Sequence, residues 1–370
     1  MSDLKLSERL YSLDALRGFD MFWIIGAEEI WHELHKSTHL PIFEVLSRQF
    51  THPDWNGFAA YDLIFPLFLF LAGVASPFSV GRELEGGKSR REVALRVIRR
   101  GLLLVLLGVV YNHGFSQLLP ISEIRFPSVL GRIGLAWMFA NLIYIYAKQR
   151  IQVVFFGGLL VAYWLLLKFT AAPGFPMGDL TMEGNFASYL DRMIIPGKLY
   201  LGIHDPEGLV STIPAISTGL LGILAGTLLR HGTQTKARKA ALLALAGVVS
   251  LALAQLWSLD FPLNKNLWTS SFALQAGGFS LLLLALFYYI VDVLGYQRWA
   301  YFFRIIGMNS ILIYMSSVFI DWHYTTKSLL GWLAQLGGSV MGPVLFVLGM
   351  LAIKWVFLKF MYDKKIFLRV

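Results

Sequence analysis

The chain is 370 residues long, 56% hydrophobic and 15% charged, with a mean hydropathy of +0.60 and a formal net charge of +9. A soluble domain normally carries about 25% charged residues, and apolar runs of about 20 residues recur here, so a soluble enzyme, a secreted disulfide scaffold and a disordered chain are excluded. With no cysteine in the sequence, thiolate catalysis, iron–sulfur ligation and disulfides are excluded as well.

The apolar runs are continuous rather than alternating, which predicts helices and not a β-barrel. The expected fold is all-α: a polytopic helical membrane protein of about ten transmembrane helices, with residues 1–370 forming a single transmembrane domain. In such a chain the basic surplus encodes orientation, and no nucleic-acid partner is expected. No cleavable signal peptide is expected either, because the first apolar stretch carries Asp14, Arg17 and Asp20 with no small-residue cleavage site behind it.

In chain order the predicted spans cover about 12–30, 58–80, 99–113, 128–146, 151–169, 209–229, 239–257, 272–291, 303–321 and 340–361. A further apolar stretch near 328–336 is too short to cross. The N-terminus, the even-numbered connections and the C-terminus together hold 22 Lys and Arg, from Lys5 and Arg9 to Lys354, Lys359, Lys364, Lys365 and Arg369, against 8 in the odd-numbered connections. By the positive-inside rule both termini are cytoplasmic. The long connections 31–57 and 170–208 then face the other side, the second marked as irregular by Pro173, Gly174, Pro176, Gly178 and Gly184. No internal repeat is visible, which weighs against an inverted-repeat transporter.

An ionisable group at bilayer depth is costly unless paired or wet, so each one is a candidate for function. In the first span Asp14 and Arg17 lie three apart on one helix face, which fits either a local ion pair or an Arg aimed at an anionic ligand. Glu28 and Glu29 are adjacent, so one can reach water while the other points inward. His52 stands in Phe50-Thr51-His52-Pro53-Asp54-Trp55-Asn56-Gly57, where Pro53 and Gly57 predict a tight loop. A lone histidine is more often structural than catalytic, but Asp62 just inside the next span can orient an imidazole if the chain folds back. The other histidines show no ligand spacing, and no metal is expected. Further polar islands are Arg132 in Val129-Leu130-Gly131-Arg132-Ile133-Gly134, the string Asn264-Lys265-Asn266-Leu267-Trp268, and Gly307-Met308-Asn309-Ser310. The buried Asn309 fits interhelical hydrogen bonding or ligand contact.

These motifs, in order, resemble the heparan-α-glucosaminide N-acetyltransferase family of membrane acetyltransferases and its bacterial NagX-type relatives, some described as N-acetylglucosamine transporters. The resemblance runs through Arg9-Leu10, Ser12, Asp14 and Arg17-Gly18; His52 with Trp55-Asn56-Gly57; Asp62-Leu63, Phe65-Pro66 and Phe68; Ile124-Arg125, Pro127, Arg132 and Gly134; Asp205-Pro206-Glu207-Gly208; Asn264 to Trp268; and Gly307 to Leu312. It implies transfer of acetyl from cytoplasmic acetyl-CoA, a co-substrate, to the amine of an amino sugar across a bacterial inner membrane. His52 matches the family's active histidine and would be the general base, or a transient acetyl carrier, with Asp62 orienting it. Arg17 and Arg100 would meet coenzyme phosphates and Asn309 its polar arm, with Asn264, Lys265 and Arg132 nearer the sugar. Glu28 falls where the family carries a functional asparagine. A carboxylate there would repel a developing oxyanion or hold the acceptor amine as ammonium. The expected partners are the sugar, the bilayer and a second copy in a homodimer. The other reading is a permease for N-acetylglucosamine, in which Glu28 and Asp62 would couple protons or bind hydroxyls.

Overall fold

A computed structural model describes residues 10–114, 120–231 and 233–368; Lys5, Arg9 and Arg369 lie outside the described residues. Helices come in the order α1 (Tyr11–Phe22), α2 (Glu29–Thr38), α3 (Pro41–Gln49), α4 (Ile64–Ser76), α5 (Arg82–Glu85), α6 (Arg90–His113), α7 (Val129–Tyr146), α8 (Gln149–Lys168) and α9 (Phe186–Ile194). They continue with α10 (Thr212–His231), α11 (Lys236–Ser258), α12 (Ser270–Tyr288), α13 (Ala300–Met308), α14 (Ser310–Ser316), α15 (Trp322–Leu336) and α16 (Gly338–Asp363). No strand forms among the described residues.

The boundaries follow from local chemistry. A helix start leaves its first amide groups unbonded, and side chains at the start satisfy them. Ser89 accepts from the Glu92 amide while Glu92 accepts from that of Ser89, closing a capping box on α6. Ser128, Asn185, Thr235 and Asp321 cap α7, α9, α11 and α15 in the same way.

Seven helical segments among the described residues are long and apolar enough to cross a membrane: Ala60–Glu85, Val129–Tyr146, Gln149–Lys168, Thr212–His231, Lys236–Ser258, Ser270–Val293 and Gly338–Asp363. Each coincides with an expected span. The other three expected spans differ for identifiable reasons. Residues 12–30 do not form one helix: α1 ends in a π-turn at Trp23–Ala27, where Gly26 takes φ 119°. Residues 303–321 are broken at Asn309, between α13 and α14. Residues 99–113 lie in the 24-residue α6, whose first half is loaded with arginine. α15, which contains 328–336, has 15 residues and is about 22 Å long, short of a roughly 30 Å core.

The chain divides into two compact units. One holds Met1–Pro53, Ala59–Ile64 and Leu283–Arg369; the other holds Asp54–Phe58 and Phe65–Leu282. In the first, α13 packs along α1, α15 along α16, and α16 against α2 and the π-turn. In the second, α6 lies on α7, and α10 packs against both α7 and α8. The core of this second unit includes Tyr163, Leu167, Phe261, Leu220 and Ile223.

Candidate active site

In the first unit, α3 ends at Gln49 and the chain turns back so that His52 meets the short 3₁₀ segment Ala60–Leu63. His52 Nδ1 lies 2.6 Å from Asp62 Oδ1. The other Asp62 oxygen accepts from the Ala59 amide at 2.9 Å, so the carboxylate is held at both ends. Gln49 Oε1 accepts from the Ala60 amide at 3.2 Å. The Asp62 side chain is 0% exposed, whereas that of His52 is 45% exposed. A fully buried carboxylate therefore engages Nδ1 of a half-exposed ring.

Tyr61 joins the sequence-predicted residues. Its ring lies 4.9 Å from that of His52 at 33°, and its hydroxyl donates to Glu28 Oε1 at 3.4 Å. Phe50 packs on Tyr61 and on Trp23, walling this side of the site with aromatic surface. The second Glu28 oxygen is buried without a hydrogen-bond partner. Tyr61 left no signal in the sequence beyond its place before Asp62. Lys354 left one: it is a lone cation well inside an apolar run. Counted by sequence as a cytoplasmic flanking charge, it is instead buried within α16, where Nζ donates to Ile25 O at 2.7 Å. Moving it out of the count leaves the charge asymmetry intact.

Of the coenzyme candidates, Arg17 is in the first unit, 3.6 Å from Asp14 and with a partly exposed side chain. Asn309 donates to Ile366 O at 3.0 Å and accepts from the Leu368 amide at 3.3 Å, clamping the C-terminal segment. Arg100 is in the second unit, its guanidinium 4.7 Å from the Trp137 ring centroid.

The second unit gathers the remaining candidates. Asn56 accepts from Asn264 Nδ2 at 3.0 Å, and the Gly57 amide donates to Leu263 O at 2.8 Å. Gly57 needs its glycine, because φ is 137°. Lys265 follows on the same connection. Arg132 is buried: Nη2 donates to Gly208 O and Ser211 Oγ, and its guanidinium lies 5.1 Å from the Trp268 ring centroid. It lines a pocket of about 200 Å³ with Ser128, Ile195, Glu207 and Leu209.

Beside it runs a charged network. Arg125 donates to both Asp205 oxygens at 2.7 Å and to Glu207. Burial alone would raise the Asp205 carboxyl, but the Arg125 guanidinium and backbone amides hold it below the ordinary carboxylate range. Burial pushes Asp191 up to about 6, against amide bonds from Val210 and Leu209 and the charge of Arg132. Burial also holds His204 neutral, down to about 4, with Nδ1 2.6 Å from Ser188 Oγ. Among the described residues no three His, Asp or Glu side chains converge as a metal ion would require.

The family profile "Heparan-alpha-glucosaminide N-acetyltransferase, catalytic" matches residues 9–259, a stretch that includes His52 and Asp62. The chain is 28% identical to the heparan-alpha-glucosaminide N-acetyltransferases of Mus musculus and Homo sapiens over 84% of its length. It spans about half the length of these curated relatives, 53% in each case. The chain belongs to the heparan-alpha-glucosaminide N-acetyltransferase catalytic family, and is a multi-pass helical membrane protein.

Proposed function

We propose that this protein transfers an acetyl group from cytoplasmic acetyl-CoA to the amine of an amino sugar on the far side of a bacterial inner membrane, with His52 as general base. The observation that carries the reading is the pair formed by half-exposed His52 and fully buried Asp62, 2.6 Å apart. Acyl transfer to an amine needs a neutral nitrogen. The amine nitrogen attacks the thioester carbonyl, His52 Nε2 takes the proton that nitrogen sheds, and collapse of the tetrahedral intermediate breaks the C–S bond. The Asp62 carboxylate stabilises the imidazolium so formed. The proton then passes to the departing coenzyme thiolate, which leaves as CoA thiol.

Glu28 takes the role of amine holder in this reading, because its Oε2 is buried and unpartnered and can accept an N–H of the neutral acceptor amine. Arg17 and Arg100 would bind coenzyme phosphates, and Asn309 would act on the coenzyme through the C-terminal segment it clamps. Arg132, Asn264 and Lys265 would serve the sugar end. The test is acetyl transfer by the purified protein, with acetyl-labelled acetyl-CoA and glucosamine as substrates. N-acetylglucosamine should accumulate as the coenzyme is consumed. Uptake of N-acetylglucosamine into proteoliposomes without any acetyl transfer would replace the transferase with a permease.

A further inference from the structure

Lys354 lies in the interior of α16, nine residues before its end, with 9% of its surface exposed. An ammonium buried in an apolar span is costly unless its protons and charge are met. One of its protons is met by Ile25 O at 2.7 Å, and the Trp322 ring centroid lies 5.9 Å away. The charge of Glu28 attracts the ammonium.

The carbonyl that Lys354 has chosen belongs to the π-turn Trp23–Ala27, one residue before Gly26, whose φ of 119° takes the chain out of helical geometry. π-turns are rare in helices and frequent at functional sites, and Gly26 supplies the angle this one needs. α16 holds this one from two adjacent turns: Met350 Cε stands 3.1 Å from where a Gly26 Cβ would be, and Lys354 grips Ile25. Met350 and Lys354 are four residues apart, hence on one helix face. The turn so held sets the direction of Glu28, two residues on, whose Oε1 meets the Tyr61 hydroxyl.

We infer that Lys354 is a positioning residue for acetyl transfer, acting through Glu28 by fixing the Gly26 turn. The inference rests on the reading of Glu28 under the proposed function, and a double-mutant cycle tests it. Lys354→Met should lower acetyl transfer to glucosamine by about 100-fold, the cost of misplacing a group that holds substrate. In a Glu28→Gln background the same change should cost less than about threefold, because the group it acts through is already altered. Lys354→Arg should recover most of the loss, since it keeps the charge and the donor. Equal losses in both backgrounds would overturn the inference.

A second readout does not depend on catalysis. Backbone hydrogen exchange in residues 23–31 should accelerate at least tenfold in Lys354→Met, while α7 is unchanged. Unchanged exchange in 23–31 overturns the inference even if the wild-type protein transfers no acetyl at all; an accelerated turn with an inactive wild type overturns the proposed function alone.

Discussion

Asp191 and His204 show how single groups in this protein trade charge against burial. Asp191 binds its proton more tightly folded, at about 6, than at its ordinary 3.8, so its contribution to stability is complete below about pH 4 and lost as pH rises through 6. His204 runs the other way, about 4 folded against 6.5, so its contribution is complete above 6.5 and lost as pH falls through 4. Each gap is worth about 3 kcal/mol at full separation. The two windows overlap and run in opposite directions, so the contributions of Asp191 and His204 largely offset each other between pH 4 and 6. Relative to wild type, Asp191→Asn should lose apparent Tm in detergent as pH is lowered over that range, and His204→Asn should gain it. Parallel curves for the two variants would contradict this account. Legibility at this scale was uneven. His52 and Asp62 could be paired from sequence because Pro53 and Gly57 force the chain back within ten residues. Tyr61 and Lys354 could not be placed, since their partners Glu28 and Ile25 are distant in sequence and only the folded chain joins them.

Among elements, the crossing of α1 and α13 explains two motif glycines. A Cβ on Gly18 would sit 1.7 Å from Phe303 O, and one on Gly307 would sit 1.9 Å from Asp14 O. Two helix backbones touch there, as small residues allow in membrane proteins. Gly307→Leu should force the helices apart and destabilise the protein by about 1–3 kcal/mol or more, read as a fall in apparent Tm of several degrees. A Tm within one degree of wild type would mean that the close approach is absent. The long apolar helices were legible because each carries its own signal in one continuous run. The breaks at Gly26 and Asn309 were not. Gly26 is neutral in hydropathy and marks its turn only through a backbone angle, and Asn309 reads as an interior polar residue until the C-terminal segment that bonds it is in place.

For the whole molecule, composition alone decided the class: an apolar, cysteine-free chain with asymmetric basic flanks is a helical membrane protein. What composition could not supply is the division into two units, because that depends on which helices pack together and not on how apolar each one is. The proposed function needs the protein to work as a vectorial catalyst, drawing coenzyme from one side and acceptor from the other. It also needs the base to be chemically separable from coenzyme binding. The most direct measurement is the initial rate of acetyl transfer in sealed, oriented proteoliposomes, with acetyl-CoA on the face bearing the basic connections and glucosamine on the opposite face, for wild type and His52→Ala. General-base catalysis is worth about 10²–10⁴-fold. The wild type should transfer acetyl and His52→Ala should lose that much, with acetyl-CoA affinity unchanged within about twofold. Wild-type turnover by His52→Ala would contradict it.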